Sequence, residues 1–159
     1  MAFKIEKDTK VWDSIKSQAK ILNTFETEVG WFPENRYGSD NENLQMAQVA
    51  QWNNEGHALQ GVPPRPFLSV GFPRALKLSI QKDVFKDVIT AISEGSGALV
   101  RIKRTEQELE SILRKVMIDW DSPPNSQRTI DAKGFNDPLI NTSQLVANAT
   151  AKTHKKGEY

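Results

Sequence analysis

Few residues of this sequence have the type and spacing that catalysis requires. Glu26 and Glu28 are two positions apart, so in a strand they would share one face, where paired carboxylates can do acid–base work. His57 follows Glu55 and could pair with that carboxylate as a base, but no nucleophile is marked out for it. A solvated strand face and a structural loop histidine explain these residues better. We therefore predict no catalytic residue and no enzymatic activity.

The sequence also has few residues that could bind a metal or a cofactor. The chain has no cysteine and only two histidines, His57 and His154. The sequence therefore excludes disulfides, thiolate catalysis, and zinc sites built from several cysteines or histidines. No dinucleotide or nucleotide-phosphate loop motif occurs, and Gly95-Ser96-Gly97 follows a predicted helix, where it indicates a helix end. We expect no metal and no cofactor.

The charges are balanced, with 21 Lys+Arg against 20 Asp+Glu in 159 residues. A net charge of +1 does not by itself favour nucleic acid or a membrane surface as the partner. No run of apolar residues approaches membrane-spanning length, and no signal peptide is apparent. We expect no membrane contact, and a cytoplasm, or a particle assembled in one, as the setting.

Basic residues nevertheless form three clusters that could contact phosphate. They are Arg101-Lys103-Arg104, Arg114-Lys115 and Lys152-Lys155-Lys156. No aromatic side chain lies between these residues, as a base-stacking surface would need. Nucleic-acid binding through the first cluster and the basic C-terminus stays open as an alternative function.

The segment from Val62 to Leu68 is the most distinctive part of the chain. Its sequence Pro63-Pro64-Arg65-Pro66 fixes the φ angles and removes backbone donors, so neither a helix nor a central strand can pass through it. We predict a stiff, extended connector. Phe67 should anchor its far end in the core, and Arg65 should lie at or near an interface.

Hydrophobic spacing predicts helices over residues 8–22, 44–54 and 74–93, and a fourth that begins at the capping box Thr105–Glu108. Residues 25–32 alternate as a strand does. Weaker predictions are strands over 67–72 and 146–153, short helical turns after Ser126 and Thr142, and either strand or helix over 98–103.

These elements predict an α+β fold. We expect a small, mostly antiparallel sheet packed against two long amphipathic helices, with shorter helices in addition. Residues 1–150 should form a single domain, and residues 151–159 a basic, flexible tail. The expected core anchors are Trp31, Phe67, Leu113, Val116 and Leu139.

A series of short motifs occurs in a characteristic order along most of the chain. They are Val29-Gly30-Trp31-Phe32, Met46 to Gly56, Val62 to Phe67, Ser122 to Ile130, Lys133-Gly134 and Pro138 to Leu145. This order resembles the tail-completion proteins of tailed bacteriophages, also described as neck, head–tail connector, virion morphogenesis or minor structural proteins. The resemblance covers roughly residues 27 to 146.

Two positions of the last motif depart from the pattern of that family. Asn141 and Ser143 occupy places where the family usually has an acidic residue and a glycine. Glycine readily takes a positive φ, whereas serine does not. The serine therefore disfavours a positive-φ turn at this point.

The resemblance implies a non-enzymatic α+β virion subunit. Such subunits form a ring, here a hexamer or dodecamer, at the junction of head and tail. The implied partners are copies of itself and other phage neck and tail proteins, with DNA passing through the lumen. The implied location is the virion, after assembly in the host cytoplasm.

Within such a ring, subunit contacts are expected from the connector and from the polar loop at 33–43. The candidate contact residues are Pro64, Arg65, Pro66, Arg36 and Tyr37. Closed rings need head-to-tail contacts between different surfaces of neighbouring copies. The alternatives within the same class are a tail terminator or a minor capsid component.

Overall fold

The computed structural model describes residues 9–80, 86, 90 and 98–158, and the predicted α+β class is confirmed. In this part of the chain, two strands form an antiparallel sheet, β1 Phe25–Gly30 and β2 Thr150–Lys155. The helices are α1 Lys10–Leu22, α2 Met46–Glu55, α3 Phe72–Ile80, α4 Ala98–Ile118, α5 Gln127–Lys133 and α6 Gln144–Ala147. Among the described residues, no helix is long and apolar enough to cross a membrane.

The sheet joins the two ends of the described chain. Phe25 pairs with Lys155, and Gly30 with Thr150. The hydroxyls of Thr27 and Thr153 lie 2.8 Å apart across the strands. The strand predicted over 146–153 is present but shifted, as Thr150–Lys155. The predicted boundary at residue 150 is wrong, because residues 151–155, also assigned to a flexible tail, belong to this paired strand.

Helix α4 holds the other edge of β2. The side chains of Glu106 and Glu110 accept hydrogen bonds from the backbone N–H groups of Thr153 and Ala151, at 2.6 and 2.9 Å. One turn further on, Arg114 donates to the Ala149 carbonyl at 2.7 Å. The strand is thus bound on one side by β1 and on the other by helix side chains.

The core lies between α2, α4, α6 and the connector. Its buried members are Met46, Ala50, Phe67, Leu113, Met117, Leu139, Leu145, Val146 and Ala149. The predicted anchors Phe67, Leu113 and Leu139 are buried, whereas Trp31 and Val116 are partly buried against this cluster. Trp31 meets Phe67 edge to face and donates its indole N–H to the Leu145 carbonyl at 2.7 Å.

Two local predictions are wrong. Residues 67–72 do not form a strand, because Phe67–Gly71 is one wide π-helical turn that leads directly into α3. Thr105 does not cap a helix, because α4 already begins at Ala98 and Thr105 lies in its interior. By contrast, Ser126 caps α5 as expected, accepting from the Thr129 N–H at 3.3 Å.

The long helix predicted over 74–93 is described only in part. Its first residues belong to α3, which is seen as far as Ile80, and Lys86 and Thr90 are also helical. The apolar positions Val84 and Val88 of that prediction lie outside the described residues. Helix α1 agrees with its prediction, although Val11 and Trp12 on its surface are 59% and 58% exposed.

Candidate functional site

The loop that leads into the connector begins at Gly56, where the space leaves no room for a side chain. Gly56 ends α2 with φ +84°, and a Cβ there would lie 2.9 Å from the Pro64 nitrogen. A tight loop follows, closed by hydrogen bonds from His57 N to Val62 O at 2.9 Å and from Val62 N to His57 O at 3.1 Å. Leu59, in the middle of this loop, is 96% exposed. The connector is therefore packed against the end of α2, and the loop before it carries an apolar side chain outward.

Two asparagines at the end of α2 hold the connector in place. The Asn53 carbonyl accepts the backbone N–H of Arg65 at 2.8 Å. The Asn54 side-chain oxygen accepts the backbone N–H groups of Leu68 and Ser69, at 2.9 and 3.2 Å. Asn54 had no role assigned from sequence, and only the general tendency of asparagine to bond nearby backbone could have suggested one.

Arg65 is buried and bonded within its own chain, so it is not an exposed surface residue, and its contact with a neighbouring subunit stays a prediction. The residue is 4% exposed, and its Nε donates to the Pro123 carbonyl at 3.0 Å. Its Nη2 makes longer contacts with the Pro124 carbonyl, at 3.4 Å, and with Asn125 Oδ1, at 3.3 Å. Burial lowers the pKa of this guanidinium. The side chain thus ties the connector to the Pro123-Pro124 turn of its own chain.

A groove of about 700 Å³ runs alongside this tie. Four segments supply its walls: parts of 37–53, residues 60–65 at the start of the connector, residues between 124 and 133, and 138–145. The last three belong to, or adjoin, the motifs whose order carries the phage resemblance. Segments far apart in the sequence therefore meet at one surface.

The end of the groove near Arg65 is rich in hydrogen-bond donors. Asn125 Oδ1 accepts a hydrogen bond from Arg65 Nη2, and Asn125 Nδ2 is buried without a hydrogen-bond partner. Lys133 lines the same groove, where its Nζ donates to the Asp137 carbonyl at 2.7 Å and lies 4.8 Å from the centre of the Phe135 ring.

Burial and two neighbouring charges shift the pKa of Lys133. Burial lowers the pKa of Lys133, and the positive charge of Arg65 lowers it further. The carboxylate of Asp137 acts in the opposite direction and raises it. Two cations thus lie close enough in this region to influence each other.

The turn at Ser143 has a positive φ, although the sequence of this position disfavours one. Ser143 has φ +60° and ψ 0°, in the left-handed region, and begins α6. Its carbonyl accepts the Ala147 N–H at 2.9 Å. The serine therefore takes the conformation that glycine would favour, and the groove wall from 138 to 145 keeps this turn.

The other predicted contact residues remain near the surface. Pro64 and Arg36 are exposed, and Arg36 donates to the Asn43 carbonyl at 3.1 Å. Pro66 and Tyr37 are half-buried, and burial raises the pKa of the Tyr37 hydroxyl. Tyr37 lines the groove.

The residues considered for catalysis are engaged elsewhere. The His57 ring packs edge to face on Trp52, with centres 5.0 Å apart, and the Glu55 carboxylate accepts from Gln51 at 3.2 Å. Glu26 pairs with His154 across the sheet at 3.1 Å. Among residues 9–80 and 98–158, no group of three metal-ligating side chains comes together.

Several of the predicted phosphate contacts are also engaged within the chain. Arg114 binds the Ala149 carbonyl, as described above, and Lys152 forms an ion pair with Glu34. Lys155 approaches Glu158 at 3.9 Å.

No protein-family model, no curated protein and no solved structure matches the chain. The groove and the connector beside it are therefore the candidate functional site on geometric grounds.

Proposed function

We propose that this protein is a non-enzymatic structural subunit of a tailed-bacteriophage virion, forming a ring that completes the neck or tail at the head–tail junction. One observation carries the proposal. The connector and the motifs at 122–134 and 138–145, whose order resembles the tail-completion family, surround a single groove. A binding surface assembled in this way suits a protein that works by contact with neighbours.

The surface beside the groove also suits such contacts. Leu59 is 96% exposed on a loop that two backbone hydrogen bonds hold shut, next to the groove residues Gln60 and Gly61. An apolar side chain presented by a constrained loop loses little conformational freedom when a partner covers it. Pro64 and Arg36 remain contact candidates, whereas Arg65 would act from within the groove.

The proposal is tested by locating the subunit in purified virions. A short affinity tag after residue 159, labelled with gold, should appear in electron micrographs at one position, where the head meets the tail. Label over the capsid shell would instead favour a minor capsid component, and label on free tails before head attachment a tail terminator. Absence of the protein from purified particles would refute a structural role.

A matched pair of variants makes the same test quantitative. Leu59→Glu should leave the thermal midpoint unchanged, because the side chain is 96% exposed, but should reduce incorporation into particles. Lys16→Glu alters the charge of an exposed residue on α1, outside the groove, and serves as the control. Equal incorporation of both variants would exclude the loop as a contact.

A further inference from the structure

The groove contains a buried cation that has no counter-charge in the described part of the chain. All three acceptors of Arg65 are neutral: two carbonyl oxygens and the amide oxygen of Asn125. No carboxylate of residues 9–80 or 98–158 forms an ion pair with it, and its Nη1 donates no hydrogen bond to these residues. A buried charge is costly unless it is paired, so this arrangement is incomplete without an anion.

A second donor beside it is also unused. Asn125 Nδ2 is buried and has no acceptor, although buried amide groups are normally hydrogen-bonded. The orientation of this amide follows from its Oδ1, which must face the Arg65 donor. Both residues line the groove, and Lys133 brings a second positive charge to it. Unused donors and positive charge therefore converge on one place.

The dimensions of the groove indicate what kind of anion it accepts. A volume of about 700 Å³ greatly exceeds that of a single oxyanion, and falls in the range of sites that enclose several residues or a drug-sized ligand. Its walls combine apolar side chains, such as Val62 and Leu139, with amides such as Asn53 and Gln60. Mixed walls of this kind suit a segment of polypeptide.

We propose that the groove binds an acidic segment of a neighbouring virion protein, with one carboxylate received by Arg65 and Asn125 and steered by Lys133. A carboxylate has two oxygens, which match a guanidinium donor and an amide donor presented together. This inference rests on the proposed function for the identity of the neighbour. The binding of the carboxylate itself can be tested on the isolated protein.

The experiment is a nuclear magnetic resonance titration of the full chain. The probe is a blocked peptide with one glutamate between two leucines, and the control probe has glutamine instead of glutamate. We expect saturable shifts of the Asn125 side-chain amide and the Arg65 Nε–H resonances with the first peptide. The glutamine peptide should bind about tenfold more weakly, and added salt should weaken the glutamate peptide alone.

A second part of the experiment repeats the titration with a variant of Lys133, a residue whose replacement should leave the fold intact. Lys133→Gln removes the charge of a partly exposed residue and should weaken the glutamate peptide about two- to fivefold, as expected for a solvated ion pair. Lys16→Gln, on α1, should have no effect. Arg65→Lys is less informative because the residue is buried and its loss would affect folding.

Several outcomes would overturn the proposal. They are the absence of saturable shifts, equal binding of the two peptides, and binding of inorganic phosphate at least as tight as that of the glutamate peptide. The same shifts on adding a single-stranded oligonucleotide, with greater affinity, would assign the groove to nucleic acid instead. If the peptide binds but gold labelling finds the protein away from the head–tail junction, the acidic-segment site stands and the proposed function fails.

Discussion

Gly71 is expected to be a position where even one added methyl group destabilises the protein. It ends the π-helical turn Phe67–Gly71 and packs against Val116 of α4 and against Trp120, just beyond that helix. A Cβ built at Gly71 would lie 2.7 Å from Cζ3 of Trp120 and 2.9 Å from Cγ1 of Val116. One atom belongs to a rigid ring and the other to a β-branched side chain, so neither can move aside freely.

The magnitude follows from two opposing effects. Inserting a methyl group into a packed site costs about 1–3 kcal/mol. Alanine in a helical backbone recovers up to about 1 kcal/mol relative to glycine. Because two rigid neighbours are affected at once, we expect Gly71→Ala to lower the free energy of unfolding by about 1–2 kcal/mol. For a protein of this size, each kcal/mol should lower Tm by about 2–4 °C.

The assay is urea denaturation followed by tryptophan fluorescence, with Gly38→Ala as the control. Gly38 has φ −68°, and a Cβ there would meet nothing within 4 Å, so its replacement should be neutral or slightly stabilising. A double-mutant cycle with Val116→Ala should show coupling of at least about 0.5 kcal/mol. If Gly71→Ala is as stable as Gly38→Ala, the close packing of this turn against α4 is refuted.

Two further predictions concern Ser143 and Glu110. Ser143→Gly should raise the free energy of unfolding by about 0.5–1 kcal/mol in urea denaturation, because glycine tolerates φ +60°. Ser143→Ala should not raise it. Equal stability of the two variants would contradict this explanation. Burial alone would raise the pKa of Glu110, but hydrogen bonds from Thr150 and Ala151 and the charge of Arg114 lower it overall, from 4.5. Since the folded-state pKa is the lower one, the stabilisation is complete above the unfolded pKa and lost as pH falls through the folded value. The stability difference between wild type and Glu110→Gln should therefore shrink in urea denaturation as pH is lowered from neutral to below the folded pKa, and a pH-independent difference would exclude this account.

Hydrophobic spacing correctly predicted those helices whose formation depends on local sequence. The apolar positions of α4, including Leu113 and Val116, recur at helical spacing and pack on the core as expected. Spacing failed for residues 67–72, because a short apolar run fits a strand or a helical turn equally well. The capping box at Thr105 was misleading because such a box acts only where a helix begins, and α4 begins earlier.

The site itself depended on distances that the sequence does not contain. Arginine is seldom buried, and the carbonyls that bind Arg65 come from Pro123 and Pro124, 58 and 59 residues later. Nothing local marks those carbonyls as acceptors, since every residue has one. The connector could therefore be predicted as rigid, but not as the wall of a groove.

The strand β2 shows how a sheet of two strands is stabilised without a third. Two-stranded sheets are marginal by themselves, and an open edge leaves backbone donors unpaired. Glu106, Glu110 and Arg114 are four residues apart, a rise of about 6 Å per step along a helix. Their partners Thr153, Ala151 and Ala149 are two residues apart, about 6.6–6.8 Å per step along a strand.

The two repeats differ by less than about 1 Å per step, a mismatch that flexible Glu and Arg side chains can absorb. The helix and the strand run in opposite directions, since the partner falls from 153 to 149 as the helix residue rises from 106 to 114. The row of polar side chains on α4 thus supplies the hydrogen-bond partners that a third strand would otherwise supply. Residues 151–155, which were also assigned to a flexible tail, are held in a strand for this reason. The tail assignment failed for them because the carboxylates that bond the strand lie 40–47 residues earlier.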